Sequence, residues 1–241
     1  LRNELKLLSE KFDQLIQIPK GNMYSAINAG IDASNTKFVS YLNADDIIFS
    51  DIILHTLETM DHDVELFYGD LDFIDWNGRF LYSYMYPGPE YIVPLAASGI
   101  SISPIGTVYT KSLWQNLGGF DTAYRYSADF DFLLRAVLKG SKVHKVTSRT
   151  VGAFRLHGGQ LSQEAEQPGQ KENRILLSKI ALNVSRRQRL NALVKLKAMN
   201  FFEQVIRILR RFKLTGKLNF SESIALLDYQ KATHEDTSTP R

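Results

Sequence analysis

Two groups of acidic residues lie where a folded chain could use them. The first is Asn43-Ala44-Asp45-Asp46, directly behind the run Phe38-Val39-Ser40-Tyr41-Leu42. A β-branched and aromatic run of that length reads as a buried strand, and such a strand would carry two carboxylates to the carboxyl end of a sheet, where open α/β folds bind ligands. Hard oxygen donors there suit Mg2+ or Mn2+, which take one or two carboxylates and complete their shell with phosphate oxygens and water. The same two acids would equally suit a turn or a helix cap. The second group runs from Ser127 to Arg135. On a helix capped by Ser127, Asp131 and Arg135 stand four residues apart and form a surface ion pair. Asp129 has no such local partner. It falls in the first helical turn, where the macrodipole lowers a carboxylate's pKa and keeps it ionised as a general base requires, although dipole stabilisation alone also accounts for an acid there. A glycosidase-like pair of Asp129 and Asp131 is disfavoured, because residues i and i+2 point to different sides of a helix.

The elements that must position these residues alternate. Leu5, Leu7, Leu8 and Phe12 follow helical spacing, and Leu15 to Ile18 reads as a short strand ended by Pro19. A second helix is expected from Tyr24 to Ala33, then the strand Phe38 to Leu42. Ser50 and Asp51 suit the cap of a helix over 52–60, and Val64 to Tyr68 reads as the next strand. Asp75-Trp76-Asn77-Gly78 between Leu71–Ile74 and Phe80–Tyr84 predicts an antiparallel hairpin, since Asn-Gly favours the turns that hairpins use. Pro87, Pro89 and Pro94 mark an irregular stretch. A strand at Thr107–Tyr109, a short helix at Lys111–Leu117 stopped by Gly118-Gly119, and a helix from Ser127 to Lys139 follow. In the last of these, Phe130, Leu133, Leu134, Val137 and Leu138 form the face expected to be buried. Pro168-Gly169 reads as a break, followed by helical composition and a polar tail over the last ten residues.

Composition sets the outer bounds. The chain has 241 residues, 44% hydrophobic and 23% charged, as an ordinary globular protein has. It has no cysteine, which excludes disulfides, thiolate metal sites and a cysteine nucleophile, and fits a reducing compartment. No apolar run approaches the roughly 18 residues that span a bilayer. Charge is unevenly distributed. Residues 1–170 hold 14 Lys and Arg against 20 Asp and Glu, net −6, whereas residues 171–241 hold 15 against 6, net +9. Small-molecule chemistry is the expectation for the first part and contact with an anionic surface for the second.

The order of several motifs sharpens this. Tyr24-Ser25-Ala26-Ile27-Asn28-Ala29-Gly30, Tyr41-Leu42-Asn43-Ala44-Asp45-Asp46, Tyr68-Gly69-Asp70, Gly118-Gly119-Phe120-Asp121, Ser127 through Arg135 and Phe154-Arg155-Leu156-His157-Gly158-Gly159 resemble the family 2 glycosyltransferases of the GT-A fold, in particular bacterial enzymes that build surface polysaccharides. The resemblance covers about residues 1–165. It implies an α/β fold with a Rossmann-like mixed sheet flanked by helices, to which the helical composition beyond Pro168-Gly169 adds a helical C-terminal extension. Residues 1–168 would form a partial catalytic domain, 169–231 a basic helical extension and 232–241 a disordered tail.

The resemblance further implies that Asn43 to Asp45 occupies the family's Asp-x-Asp place, with Asp45 holding a divalent metal (Mg2+ or Mn2+) on the diphosphate of a sugar nucleotide, Asp46 beside it, and Asn43 facing the nucleoside. Asn43 keeps hydrogen bonding there but drops one charge. Asp129 matches the family's general base, and His157 falls near a position that reaches the metal in some GT-A enzymes. Gly118-Gly119-Phe120-Asp121 shapes the loop ahead of the catalytic helix. The implied reaction is a single in-line displacement that inverts the anomeric centre, with a nucleoside-diphosphate sugar as donor and a glycan or lipid-linked acceptor. Family members begin with a strand, a helix and a second strand that grip the nucleotide; these are missing from the sequence, which is expected to be an N-terminally truncated, inactive fragment with exposed apolar sheet edges. A non-catalytic sugar-nucleotide or glycan-binding remnant of the same fold is the rival reading.

The basic part carries one further expectation. Phe201, Phe202, Val205, Ile206, Leu209 and Phe212 form a helical stripe, with Arg207, Arg210, Arg211 and Lys213 on the remaining faces. Such a helix can lie in a membrane interface, placing the protein in the cytoplasm or peripherally on the inner face of the membrane; the alternative is that the stripe packs on the rest of the chain. Nucleic acid is not an expected partner, because the aromatics lie on the apolar stripe rather than among the cations.

Overall fold

The computed structural model describes residues 12–158, 166–180, 184–215 and 224–225. The helix expected over residues 3–12, apart from Phe12, and the tail over 232–241 lie outside the described residues. Leu15 to Ile18, expected as a strand, forms no ladder, and Leu15 and Ile16 are 46% and 39% exposed. No strand lies beside them among the described residues, and a strand without a partner leaves its backbone groups to water.

Helix α1 (Met23–Ala33) begins where Asn22 accepts a hydrogen bond from the Tyr24 N–H, and it buries Tyr24 and Ile31. Strand β1 (Phe38–Val39) is shorter than the expected Phe38–Leu42. Its ladder stops at Ser40, whose hydroxyl takes over by donating to the Thr107 carbonyl at 2.7 Å. After the Asn43–Asp46 turn come β2 (Ile47–Ile48) and α2 (Ser50–Thr59). Ser50 is the first helical residue rather than the cap: Phe49 occupies that position without a side-chain bond, and Asp51 supplies the first-turn negative charge that suits the dipole.

Strands β3 (Leu66–Ile74) and β4 (Arg79–Tyr84) form the expected hairpin. Its turn needs a left-handed residue, supplied by Gly78 at φ +78°. The proline-rich stretch is not wholly irregular, because Pro94 stands within the first turn of a short helix, α3 (Ile92–Ala96), where a missing N–H costs nothing. Strand β5 (Val108–Thr110) leads directly into α4 (Lys111–Leu117), capped by the Thr110 hydroxyl and ended by Gly118.

Helix α5 (Ala128–Leu138) is followed by β6 (Val143–Arg155). Phe130, Leu133 and Leu134 are buried as expected, but Leu138 is 57% exposed and Phe132, outside the expected face, is fully buried. The helix is covered on two sides: Phe132 enters the main core, while Phe130 and Leu134 pack with Ala96, Leu176 and Val184. Leu176 belongs to α6 (Glu166–Ile180), which runs through Pro168-Gly169, expected as a break; Pro168 sits in the first turn, where it is tolerated. Helix α7 (Arg186–Thr215) and the short β7 (Ile224–Ala225) complete the described elements.

The strands form one mixed seven-stranded sheet. Strand β3 is its centre and is buried at every position but Phe73, as a strand covered on both faces must be. Along one edge of β3 runs β6, in parallel; along the other edge come β5 and then β4, both antiparallel. Strand β1 extends the sheet beyond β5, β7 beyond β4, and β2 beyond β6. Between Tyr68↔Lys145 and Asp70↔Thr150 the register lets β6 spend five residues where β3 spends two, an extra length that bends β6. Among the described residues no helix is long and apolar enough to cross a membrane.

Candidate active site

Asp45 and Asp129 line one cleft of ≈550 Å³, together with Tyr24, Tyr41, Asn43 and Tyr126. Each acid is held by contacts that cross the fold.

The two carboxylates of the Asn43–Asp46 turn have different partners. Asp46 is turned inward: its Oδ1 accepts from the Arg155 backbone N–H at 3.0 Å and its Oδ2 from Asn43 Nδ2 at 3.0 Å. Burial pushes its carboxyl above the usual value, opposed by those two donors. Asp45 faces outward, and its Oδ2 lies 2.8 Å from His157 Nε2. The structure therefore brings Asp45 together with His157, while Asp46, which lines the same cleft, also braces the turn. Asn43 lines the cleft and holds Asp46. Arg155 fixes this arrangement from the end of β6, donating through Nε to the Asp45 carbonyl at 2.8 Å and through Nη1 to the carbonyls of Asp75 and Trp76 at 3.3 and 3.0 Å. One guanidinium thus joins the acidic turn to the tip of the β3–β4 hairpin, where the exposed Trp76 ring stands edge-on to the His157 imidazole at 5.2 Å.

Asp129 sits at the other wall, in the first turn of α5. Tyr24 donates to its Oδ1 at 3.0 Å, Tyr41 to its Oδ2 at 3.2 Å, and the Phe130 N–H to Oδ1 at 2.9 Å. The expected lowering of its pKa by the helix dipole is not what the structure gives. Burial raises it above the ordinary carboxylate value, against the pull of the Phe130 N–H, Tyr24 and Tyr41. The start of α5 is packed too tightly for the dipole to prevail: Ala128 is fully buried and Ser127 nearly so. A raised pKa makes Asp129 a stronger base once it is ionised.

The expected surface pair of Asp131 and Arg135 also proves to be an inward brace. Asp131 is 8% exposed and accepts from Arg135 Nε at 2.7 Å. Arg135 then donates to the carbonyls of Leu117 and Gly119 at 2.5 and 2.8 Å, pinning a loop that turns through Gly118 and Gly119 at φ +75° and +67°. The next residue, Phe120, is held from α1, where Asn28 accepts from its N–H at 3.0 Å and donates to its carbonyl at 2.8 Å. The Phe120 ring meets Tyr24 and Tyr41 edge-on at 5.2 and 5.5 Å. The Gly-Gly-Phe-Asp loop thus packs beneath the two tyrosines that grip Asp129. Helix α6 secures the far side: Glu172 accepts from the Arg125 and Tyr126 N–H groups at 2.8 Å each, and Ser127 donates its hydroxyl to Asn173. Ser127 occupies the expected cap position without making a capping bond.

Tyr24, Tyr41, Arg155 and Trp76 were not singled out by chemistry in the sequence. Their presence inside quoted motifs or at a hairpin tip is the only signal they leave there.

Fold and cleft together give an α/β protein with a GT-A-like mixed sheet flanked by helices. No family model matches the chain. It is 27% identical over 135 residues to an uncharacterized glycosyltransferase of Rickettsia felis, an alignment covering 52% of this chain and 22% of that protein. Among solved structures, S. aureus TarS residues 1–349 in complex with UDP-GlcNAc is similar with a TM-score of 0.54 at 16% identity, covering 96% of this chain and 69% of that one. A further TarS 1–349 structure gives 0.51 at 15% identity, covering 97% and 69%. These likenesses establish the fold, and the chain spans about a fifth of the length of the curated relative it matches.

Proposed function

We propose that this protein is an inverting glycosyltransferase of family 2, which moves a sugar from a nucleoside-diphosphate sugar to an acceptor hydroxyl on a glycan or lipid-linked acceptor in cell-surface polysaccharide synthesis. The observation that carries the reading is the single cleft lined by both Asp45 and Asp129. The similar fold of TarS, solved with UDP-GlcNAc, supports a sugar-nucleotide donor.

Asp45 and His157 offer a carboxylate oxygen and an imidazole nitrogen side by side. Among the described residues no group of three or more His, Cys, Asp and Glu side chains is arranged to hold a metal. Two protein donors fit Mg2+ or Mn2+ when diphosphate and water complete the shell, as is usual for such ions. Bound there, the cation would neutralise negative charge on the departing diphosphate. Asn43 would face the nucleoside, and Asp46 and Arg155 would keep Asp45 aimed into the cleft. Asp129 would take the proton of the acceptor hydroxyl as it attacks the anomeric carbon from the side opposite the leaving diphosphate, which inverts the configuration. The basic, apolar-striped helix α7 would hold the protein to an anionic membrane on its cytoplasmic face.

Transfer from UDP-sugars and GDP-sugars by the full-length protein, assayed with Mg2+, Mn2+ or a chelator, tests the proposal. Asp129→Asn is expected to lower turnover by about 10²-fold or more, the usual contribution of a general base, with donor binding retained. Turnover within about tenfold of wild type would remove Asp129 from that role. Donor binding without turnover under every condition would favour a binding protein instead.

A further inference from the structure

The hydrogen bonds around Asp129 leave an asymmetry. A carboxylate offers about four lone-pair positions. Oδ1 accepts from Tyr24 and from the Phe130 N–H, while Oδ2, among the described residues, accepts from Tyr41 alone. One acceptor position therefore remains, and it lies on Oδ2, in a carboxylate that lines the cleft.

Resting on the general-base reading above, we infer that Tyr24 and Tyr41 are positioning residues, which fix the Asp129 carboxylate so that the remaining lone pair of Oδ2 meets the acceptor hydroxyl. The two phenols come from separate elements, Tyr24 from α1 and Tyr41 from the segment after β1, so together they prevent the carboxylate from rotating about its own axis. Both rings lean on Phe120, whose backbone Asn28 holds in two directions. Burial and the neighbouring Asp129 charge keep both phenols protonated far beyond the ordinary tyrosine range, so they act as donors and do not compete with Asp129 for the acceptor's proton. Tyr24 is buried and Tyr41 half-buried, and both line the cleft.

Both hydroxyls also favour the charged form of Asp129. Removing either raises the carboxyl's pKa, and because the base must be ionised, the fall in rate on the acid side must then begin at higher pH. A ring that merely fills space would leave that limb where it is.

Tyr24→Phe and Tyr41→Phe keep the ring and delete the donor. Each is expected to lower kcat about tenfold, a fraction of the whole general-base effect, to leave the donor KM unchanged, and to move the acid limb of the kcat profile upward by about half a pH unit or more. A limb unmoved in Tyr41→Phe, with kcat at the wild-type level or lowered, overturns the inference. Should Tyr24→Phe fail to fold, the Tyr41 variant alone decides. Asp129→Asn run in parallel separates the two readings: a dead Asp129→Asn with unmoved Phe profiles sinks only the positioning role, whereas an active Asp129→Asn sinks the general base itself.

Discussion

Asp72 is a carboxyl group whose charge the fold resists. It is 2% exposed at the middle of the sheet, where Ser83 and Thr150 donate to it at 2.7 and 3.1 Å. Burial pushes it up to about 6, the two hydroxyls oppose this, and Glu203 and Asp70 add repulsion. Its folded pKa lies above the unfolded one, so its contribution to stability is fully present below about pH 4 and is lost as pH rises through about 6. A displacement of about two pH units corresponds to roughly 3 kcal/mol. Asp72→Asn removes the charge, and the hydroxyls of Ser83 and Thr150 can rotate to serve the amide. Urea unfolding should therefore find the variant more stable than wild type at pH 8 by up to about 3 kcal/mol, with the gain vanishing near pH 4. An equal difference at both pH values would mean that Asp72 does not titrate in that window. Asp72 left no sign in the sequence, where it is one acid in a strand-like run. Asp45 and Asp129 were different, because an acid behind a strand-like run or just inside a helix stands out by its place in the chain. What grips them is invisible at that range: Tyr24 and Tyr41 reach Asp129 across 105 and 88 positions, and Arg155 reaches the Asp45 carbonyl across 110.

Among the elements, those with chemically explicit punctuation are legible. Asn77-Gly78 specifies the hairpin and Gly118 the end of α4, because each position takes a left-handed backbone that glycine tolerates. The Leu15–Ile18 run misleads for the complementary reason, since its composition says nothing about whether a partner strand lies alongside. A third kind of glycine is legible only in the fold. At Gly152 on β6 an added Cβ would stand 2.5 Å from the Ile47 carbonyl oxygen and 2.8 Å from Ile105 Cγ2. Ile48 pairs with Gly152 and Ile47 with Ala153, so the collision falls on the strand immediately after Asp45 and Asp46. Gly152→Ala should destabilise the protein by about 2 kcal/mol, as overpacking a tight site does, and displace the acidic turn, which on the proposed function weakens sugar-nucleotide binding. Gly30 on α1 is the contrasting case: nothing lies within 4 Å of an added Cβ, and Gly30→Ala should stabilise by up to about 1 kcal/mol through helix propensity. Thermal melts of the two variants, with donor titration of each, check both signs. A Gly152→Ala protein that melts and binds like wild type would show that β2 is free to move aside.

At the scale of the molecule, the C-terminal helices serve two faces. Their inner faces join the body. Leu176 and Val184 pack with Phe130 and Leu134, Ala192 and Leu196 with Leu95, Asn200 bonds the Met85 backbone in both directions, and Arg207 donates to the Leu81 carbonyl. Arg207, expected among outward cations, is therefore turned to the sheet. The outer face of α7 has the opposite character: Phe201, Phe202 and Leu209 are each more than 60% exposed, and Phe212 49%. The stripe expected either to pack on the body or to meet a membrane interface thus points away from the body. The same helix holds nine Lys and Arg against the single acid Glu203. Apolar side chains held out on a helix of that charge suit an interface of anionic lipid, where burial of the rings and attraction to headgroups add. In vesicle flotation the protein should rise with anionic vesicles and not with neutral ones, and about 0.5 M salt should reduce its recovery by screening. Phe202→Asp with Leu209→Asp should abolish flotation while leaving the melting temperature unchanged, because neither residue supports the core. Equal recovery on neutral and anionic vesicles would leave the rings as the whole attraction and the cations without a part in it; no recovery on either would remove the membrane as the occupant of this face.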